Sequence, residues 1–108
     1  MLRSHNEAKA VEMFPGVVRR TLNSGERTTL VEITFLPGAI VPLHTHEHEQ
    51  TGYLVRGQLL FTLGEEQREL KAGDSWCVPS NVAHAVTALE ASVGIDIFSP
   101  VRTEYLDQ

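Results

Sequence analysis

Three histidines and a glutamine lie within one seven-residue stretch, at His44, His46, His48 and Gln50. Imidazole nitrogens are common ligands of divalent transition metals, and amide oxygens can complete such a set. Residues two positions apart on an extended strand project from the same face, with Cα atoms about 6.6 Å apart. The side chains of His44 and His46 can therefore converge on one ion, and a metal site is the first chemistry that this stretch indicates.

The position of Gln50 depends on the path of the chain after His46. A straight strand would place Gln50 about 13 Å beyond His46, which is too far for the two to share an ion. The strand-like sequence GYLVRG follows at once, and this favours a hairpin turn within residues 47–49. The turn would return Gln50 to His44 and His46, with His48 near its tip. Without the turn, Gln50 is not a ligand.

Asp96 is the second candidate, because it interrupts an apolar strand predicted over residues 92–98. Strand alternation through Ile95 and Ile97 puts Asp96 on the opposite face, with Phe98. An acid at this position is costly unless it has a partner or water. It forms an ion pair with Arg102, lies at an exposed edge, or points with Phe98 into a functional interior.

The elements that position these residues are predicted to be strands. Runs rich in Val, Ile, Leu, Thr and Phe alternate with turn residues and cover 17–22, 28–36, 40–46, 52–56, 58–63, 67–70, 75–78, 84–89 and 92–98. Many short strands without a helical period indicate an all-β sandwich or barrel. Residues 1–12 are expected to be a loose N-terminal segment. Cys77, Trp76 and Tyr53 are expected to pack inside the barrel.

Length and charge exclude several classes of function. The 108 residues are expected to form a single domain, residues 1–108. Nine scattered basic residues against 14 acidic ones, a net charge of −5, argue against nucleic acid and membrane partners. The charged N-terminus has no apolar run of the length that a signal peptide or a membrane span needs. The protein is therefore expected to be cytoplasmic.

Two segments resemble the motifs of a known family. GAIVPLHTHEHEQTGYLVRG, residues 38–57, is similar to the first cupin motif, and GDSWCVPSNVAH, residues 73–84, is similar to the second. The resemblance implies a cupin β-barrel, also called a double-stranded β-helix or jelly roll, that holds a divalent transition metal. The implied ligands are His44, His46, Gln50 and His84. The ion could be Ni, Fe, Mn, Zn or Co, since such donors suit all five.

The sequence departs from the cupin motifs at three positions. Asn81 and Ala88 replace a glycine and an asparagine, and Asn81 is expected to tolerate the left-handed turn of the glycine. Gln50 replaces the usual glutamate, so neutral ligands leave a divalent ion its full charge of +2. One extra unit of charge at about 4 Å is worth on the order of 4 kcal/mol at most, which favours an anionic substrate. Alternatively, Gln50 only hydrogen-bonds a ligand.

HTHEHEQTGYLVRG followed by DIFSPVRTEYL is similar to the small cupins of pectin degradation, the uronate-linearising KdgF family. The resemblance implies an enzyme that converts 4,5-unsaturated monouronates from pectin or alginate into the linear ketonised sugar acid. It implies that Asp96, Phe98 and Arg102 act with the metal on this anionic sugar, and that the protein is a homodimer. Tyr105, in the tail, is expected to be a subunit contact. Two alternatives remain open: a metal-dependent dioxygenase, and a cupin that binds a sugar acid without converting it.

Overall fold

Ten β-strands make up most of the structure, a computed structural model that describes residues 1–106. The strands are β1 Ala10–Phe14, β2 Val17–Ser24, β3 Thr29–Phe35, β4 Ile40–His44, β5 Glu49–Arg56, β6 Gln58–Leu63, β7 Glu66–Lys71, β8 Ser75–Val78, β9 His84–Ala88 and β10 Ser92–Ser99. Short 3₁₀ turns cover His5–Glu7 and Thr103–Tyr105. Within residues 1–106, no helix is long and apolar enough to cross a membrane.

The strands form two antiparallel sheets. One has the order β1-β2-β3-β10-β5-β8, and the other has the order β4-β9-β6-β7. Val31, Ile33 and Phe35 of β3 face inward and are at most 7% exposed, as their alternation predicts. They join one apolar cluster with Leu59 and Phe61 of the second sheet. The core therefore lies between the two sheets, and the all-β prediction is confirmed.

The N-terminal stretch expected to be loose contains the start of a strand. β1 begins at Ala10 and pairs with β2 in an antiparallel register. It lies at an edge of its sheet, and its side chains alternate between exposed and half-buried. A strand with no fully buried position has little of the apolar pattern from which strands are predicted.

The path from β4 to β5 is a turn, but it is not a hairpin. β4 ends at His44 and pairs with β9. The chain then turns through residues 45–48 and enters β5, which pairs with β10 and β8 in the other sheet. The predicted hairpin is wrong because the turn crosses between the two sheets. This crossing still brings Gln50 back toward His44.

Two residues expected inside the barrel face outward. In the four-residue strand β8, the interior positions are taken by Trp76 and Val78, and Cys77 between them is exposed. Tyr53 of β5 is 51% exposed, because its neighbours Gly52 and Leu54 turn toward the interior. Only Trp76 of the three expected packing residues is buried.

Candidate metal centre

Three imidazoles meet where β4 ends and β9 begins. His44 and His84 are directly paired across these two strands, with ring centroids 4.1 Å apart. His46 lies past the end of β4, in the turn, and its ring centroid is 4.8 Å from that of His84. One ligand atom from each of the three lies within 4.8 Å of the others. The side chains therefore converge, although His46 is not on the strand face predicted for it.

The hydrogen bonds of the three rings orient them for a metal. Each Nδ1 lies 2.8–2.9 Å from a backbone carbonyl oxygen, those of Pro42, His48 and Val82 for His44, His46 and His84 respectively. A carbonyl only accepts, so each Nδ1 carries the proton and each Nε2 of a neutral ring presents a lone pair. Nε2 of His84 is buried and has no hydrogen-bond partner in the described part of the chain. A ring held in this way suits coordination.

Burial keeps two of the three rings neutral. The pKa of His84 is lowered to about 4, chiefly because burial disfavours the imidazolium, with added repulsion from His44 and His46. The pKa of His46 is also lowered, first by burial and then by the positive charge of Arg102. Both rings are therefore unprotonated at neutral pH, which is the state that binds a cation.

Gln50 joins the cluster at the start of β5. Its side chain is buried, and its Nε2 donates a hydrogen bond of 2.9 Å to Asp96 Oδ1. Its Oε1 lies 3.0 Å from His46 Nε2. Since His46 carries its proton on Nδ1, these two atoms are both acceptors, and a cation shared between them would relieve their repulsion. Three imidazole nitrogens and an amide oxygen form a donor set that fits a divalent transition metal.

His48 and Asn81 shape the turn around this cluster. His48 lies outside the group of three converging histidines and is buried, with its ring edge-on to Phe98 at 6.4 Å. Asn81 has a φ of 64°, which confirms the left-handed turn expected of it. Its backbone N–H donates a hydrogen bond of 2.8 Å to the carbonyl of His46, so it helps to hold that ligand segment.

Asp96 points inward from the middle of β10, as strand alternation predicts. Its Oδ1 accepts hydrogen bonds from Gln50 Nε2 at 2.9 Å and from Trp76 Nε1 at 2.7 Å. Burial raises the pKa of Asp96 to about 6, and these two hydrogen bonds limit the rise. A carboxyl group with this pKa can hold or release a proton near neutral pH.

Arg102 lies over the same cavity, after β10. Its guanidinium carbon is 4.7 Å from the ring centroid of Phe98 and 4.0 Å from that of Tyr105. Its Nε forms an ion pair of 2.8 Å with Glu104. Arg102 therefore pairs with Glu104. The ion pair between Arg102 and Asp96, which was one of the three alternatives for Asp96, is not formed.

The cavity between the sheets brings together residues from distant parts of the chain. Its lining includes His44, Gln50, His84, Asp96, Phe98 and Arg102. Two further lining residues, Trp76 and Tyr105, were not predicted to belong to a site. A buried tryptophan needs an acceptor for its N–H. The sequence offers Asp96, predicted to face inward, as such an acceptor, and this pairing could have indicated that Trp76 belongs to the site. No sequence pattern around Tyr105 indicates that its ring lies beside Arg102.

A barrel of two antiparallel sheets with a histidine cluster between them defines a class of protein. The chain belongs to the cupin domain family, whose sequence profile matches residues 31–97.

Within this family, the chain is similar to the pectin degradation protein KdgF of Dickeya dadantii, with 35% identity over 97 residues and 88% of each chain covered. It superposes on the structure of KdgF from a Halomonas species with a TM-score of 0.89, at 34% identity, covering 95% of this chain and 97% of that one. An RmlC-like cupin from Shewanella frigidimarina gives a TM-score of 0.91 at 29% identity, with 96% and 94% of the chains covered.

Proposed function

We propose that this protein is a metal-dependent enzyme that converts 4,5-unsaturated monouronates from pectin or alginate breakdown into the linear ketonised sugar acid. The observation that carries the proposal is the contact between Gln50 and Asp96, which joins the candidate metal ligands to a buried acid. Similarity to two KdgF proteins over most of the chain supports the role in pectin degradation.

His44, His46, Gln50 and His84 would hold the metal, because their donor atoms face one another and two of the rings are neutral at working pH. A divalent ion supplies Lewis-acid stabilisation of negative charge that develops on a substrate oxygen. The neutral ligands leave the full charge of the ion uncompensated, so the site favours an anion such as a uronate.

The conversion is an isomerisation in which protons move and nothing is lost. In the substrate, the ring oxygen is attached to one carbon of a carbon–carbon double bond that also bears the carboxylate. Opening the cyclic hemiacetal moves the hydroxyl proton of the anomeric carbon to the ring oxygen, which becomes an enol. Loss of the enol proton and protonation of the other alkene carbon then give the ketone. Asp96 can take and return these protons at Oδ2, since its Oδ1 is held by Gln50 and Trp76.

Arg102 and Phe98 would hold the substrate in place. The Nε of Arg102 is paired with Glu104, which leaves the Nη edge of the guanidinium to bind a carboxylate with two hydrogen bonds. Phe98 is 2% exposed and lies edge-on to His46 at 5.7 Å. It forms an apolar wall that keeps water away from the reacting carbons.

The direct test compares the native protein with its Asp96→Asn variant. Both are loaded with a divalent metal, incubated with unsaturated galacturonate and followed by NMR. The native protein is expected to form the linear keto acid, and the variant is expected to keep its metal and lose this activity. Full activity in the variant would remove Asp96 from the mechanism. Oxygen uptake with other substrates would instead favour a dioxygenase, and stoichiometric binding without product would favour a sugar-acid-binding cupin.

A further inference from the structure

Trp76 packs in the core and also makes a polar contact with the candidate acid Asp96. It is the first of the two inward-facing residues of β8 and is 9% exposed. Its Nε1 donates a hydrogen bond of 2.7 Å to Asp96 Oδ1, across the intervening strand β5. Gln50 donates to the same oxygen from the other side, at 2.9 Å. No hydrogen bond from the described residues reaches Oδ2 of this carboxyl group.

Two glycines make room for the indole. Gly52 of β5 pairs with both Trp76 and Asp96, so it lies directly between them in the sheet. A Cβ atom at Gly52 would lie 2.1 Å from Nε1 of the indole, and one at Gly94 of β10 would lie 3.2 Å from its Cη2. At Gly52 a larger residue would displace the indole, whereas at Gly94 a methyl group would only press on the edge of the ring.

The opposite face of the indole is covered by the second sheet. Phe61 of β6 stacks on it, with ring centroids 5.2 Å apart and an angle of 30° between the planes. The ring of Trp76 is therefore held between Phe61 on one side and the two glycines on the other. Its N–H has one direction available, which is toward Asp96.

We infer that Trp76 is a positioning residue for the proposed reaction: its indole N–H, together with Gln50, fixes the Asp96 carboxyl group so that Oδ2 faces the substrate. This inference rests on the proposed function. If the N–H is removed, Gln50 alone holds the carboxyl group, which can then rotate and present either oxygen. Fewer substrate molecules meet a correctly placed proton acceptor, so kcat falls. Binding of the sugar acid through Arg102 is untouched, so KM stays near its native value.

Trp76→Phe is the main test, because it keeps an aromatic ring that can pack against Phe61 and removes the N–H donor together with the five-membered ring of the indole. We expect kcat for unsaturated galacturonate to fall about 10- to 100-fold, with KM changed less than threefold. This fall corresponds to the loss of one hydrogen bond to a charged group. Metal content and the cooperative thermal unfolding transition are measured alongside. A kcat within twofold of the native value would overturn the inference and return Trp76 to core packing.

Gly94→Ala provides a second variant if Trp76→Phe does not fold. The added methyl group meets Cη2 at 3.2 Å and shifts the ring by a few tenths of an ångström, while every donor and acceptor stays. We expect a smaller loss of kcat, about threefold to tenfold, again at constant KM. An unchanged kcat in a folded Gly94→Ala protein would count against a requirement for exact indole placement.

The indole signal tests the contact without any turnover. Trp76 is the single tryptophan of the chain, so its N–H gives one assignable peak in a ¹⁵N–¹H NMR spectrum. We expect this peak far downfield in the native protein and shifted upfield in Asp96→Asn, since a neutral acceptor is weaker than a carboxylate. An unshifted peak would show that the contact is absent. If the native protein has no activity on unsaturated uronates, the proposed function is wrong, and so is the role of Trp76 in that reaction. The NMR peak would then report only the contact between Trp76 and Asp96.

Discussion

Gln50 and Asp96 are joined by a hydrogen bond of 2.9 Å, and the amide oxygen of the same Gln50 lies 3.0 Å from Nε2 of His46. One side chain thus connects the candidate metal ligands with the candidate acid. The amide needs both of its ends for this, because the oxygen faces the imidazole and the nitrogen donates to the carboxyl group. A carboxylate at this position would have no donor for Asp96.

Gln50→Glu tests the charge at this position. The substitution lowers the charge of the loaded site from +2 to +1 and places a second carboxyl group against Asp96. The weaker attraction for an anionic substrate is expected to raise KM for unsaturated galacturonate about 10- to 100-fold, while metal is retained. Steady-state kinetics and metal analysis of the same preparation check this. An unchanged KM would mean that Gln50 does not set the charge that the substrate meets.

A matched pair of variants tests which histidines bind the metal and which do not. His84→Ala removes a buried ring whose Nε2 faces the cluster, and metal affinity is expected to fall at least 100-fold. His48→Ala removes a ring outside the cluster and keeps the backbone carbonyl that accepts from His46. It is expected to change the affinity less than about threefold. Metal titration of both chelator-treated proteins is the measurement. Equal losses would show that His48 is also a ligand.

Asp96 is expected to make the protein less stable as the pH rises. Its pKa is raised in the folded state, from 3.8 to about 6, so the stability that it contributes is fully present below pH 4 and is lost as the pH rises through 6. At pH 8, metal-free Asp96→Asn is expected to be more stable than the native protein by about 3 kcal/mol, from 1.36 kcal/mol per pKa unit. By pH 5 this difference should fall to about half.

Urea unfolding of both metal-free proteins at pH 8 and pH 5 measures that difference. The pKa values of His46 and His84 are lowered, so both proteins lose stability as the pH falls below about 6.5. This common loss cancels in the comparison. A destabilised Asp96→Asn protein at pH 8, or a difference that does not depend on pH, would contradict the raised pKa of Asp96.

Arg102→Lys tests the carboxylate clamp. The guanidinium packs against the rings of both Phe98 and Tyr105, which also contact each other, and a lysine ammonium has neither the flat shape for this packing nor the paired donors. KM is expected to rise about 10- to 100-fold, with metal content unchanged. Glu104→Gln is the control, because it weakens the ion pair with Arg102 at an exposed position and should leave KM the same or lower. A rise in KM for the control, with none for Arg102→Lys, would show that Arg102 is not the clamp.

Strand alternation explains why much of the site could be predicted. It places Asp96 and Phe98 on the inner face of β10, where the structure has them. The spacing of the cupin motifs likewise indicates His44, His46 and His84, which the structure brings together. The placement of these residues could be predicted because it depends on local periodicity and motif spacing.

Other features depend on contacts between distant strands, which periodicity does not contain. The indole of Trp76 reaches Asp96 only because β5 lies between their strands and carries Gly52 at the crossing point. The chain crosses between the sheets from β4 to β5, whereas a hairpin was predicted. A turn within one sheet and a turn between two sheets have the same local sequence pattern. The homodimer, the cytoplasmic location and the identity of the metal stay predictions.

The most direct measurement is the reaction of metal-loaded native protein with unsaturated galacturonate in D₂O, followed by NMR. If a group of the enzyme delivers the proton to one face of the alkene carbon, the linear keto acid carries a single deuterium on that carbon, in one configuration. This is the expected result. Chelator-treated protein is the control and is expected to form no product beyond the uncatalysed background. Persistence of the unsaturated ring in the presence of metal-loaded protein would contradict the proposed function.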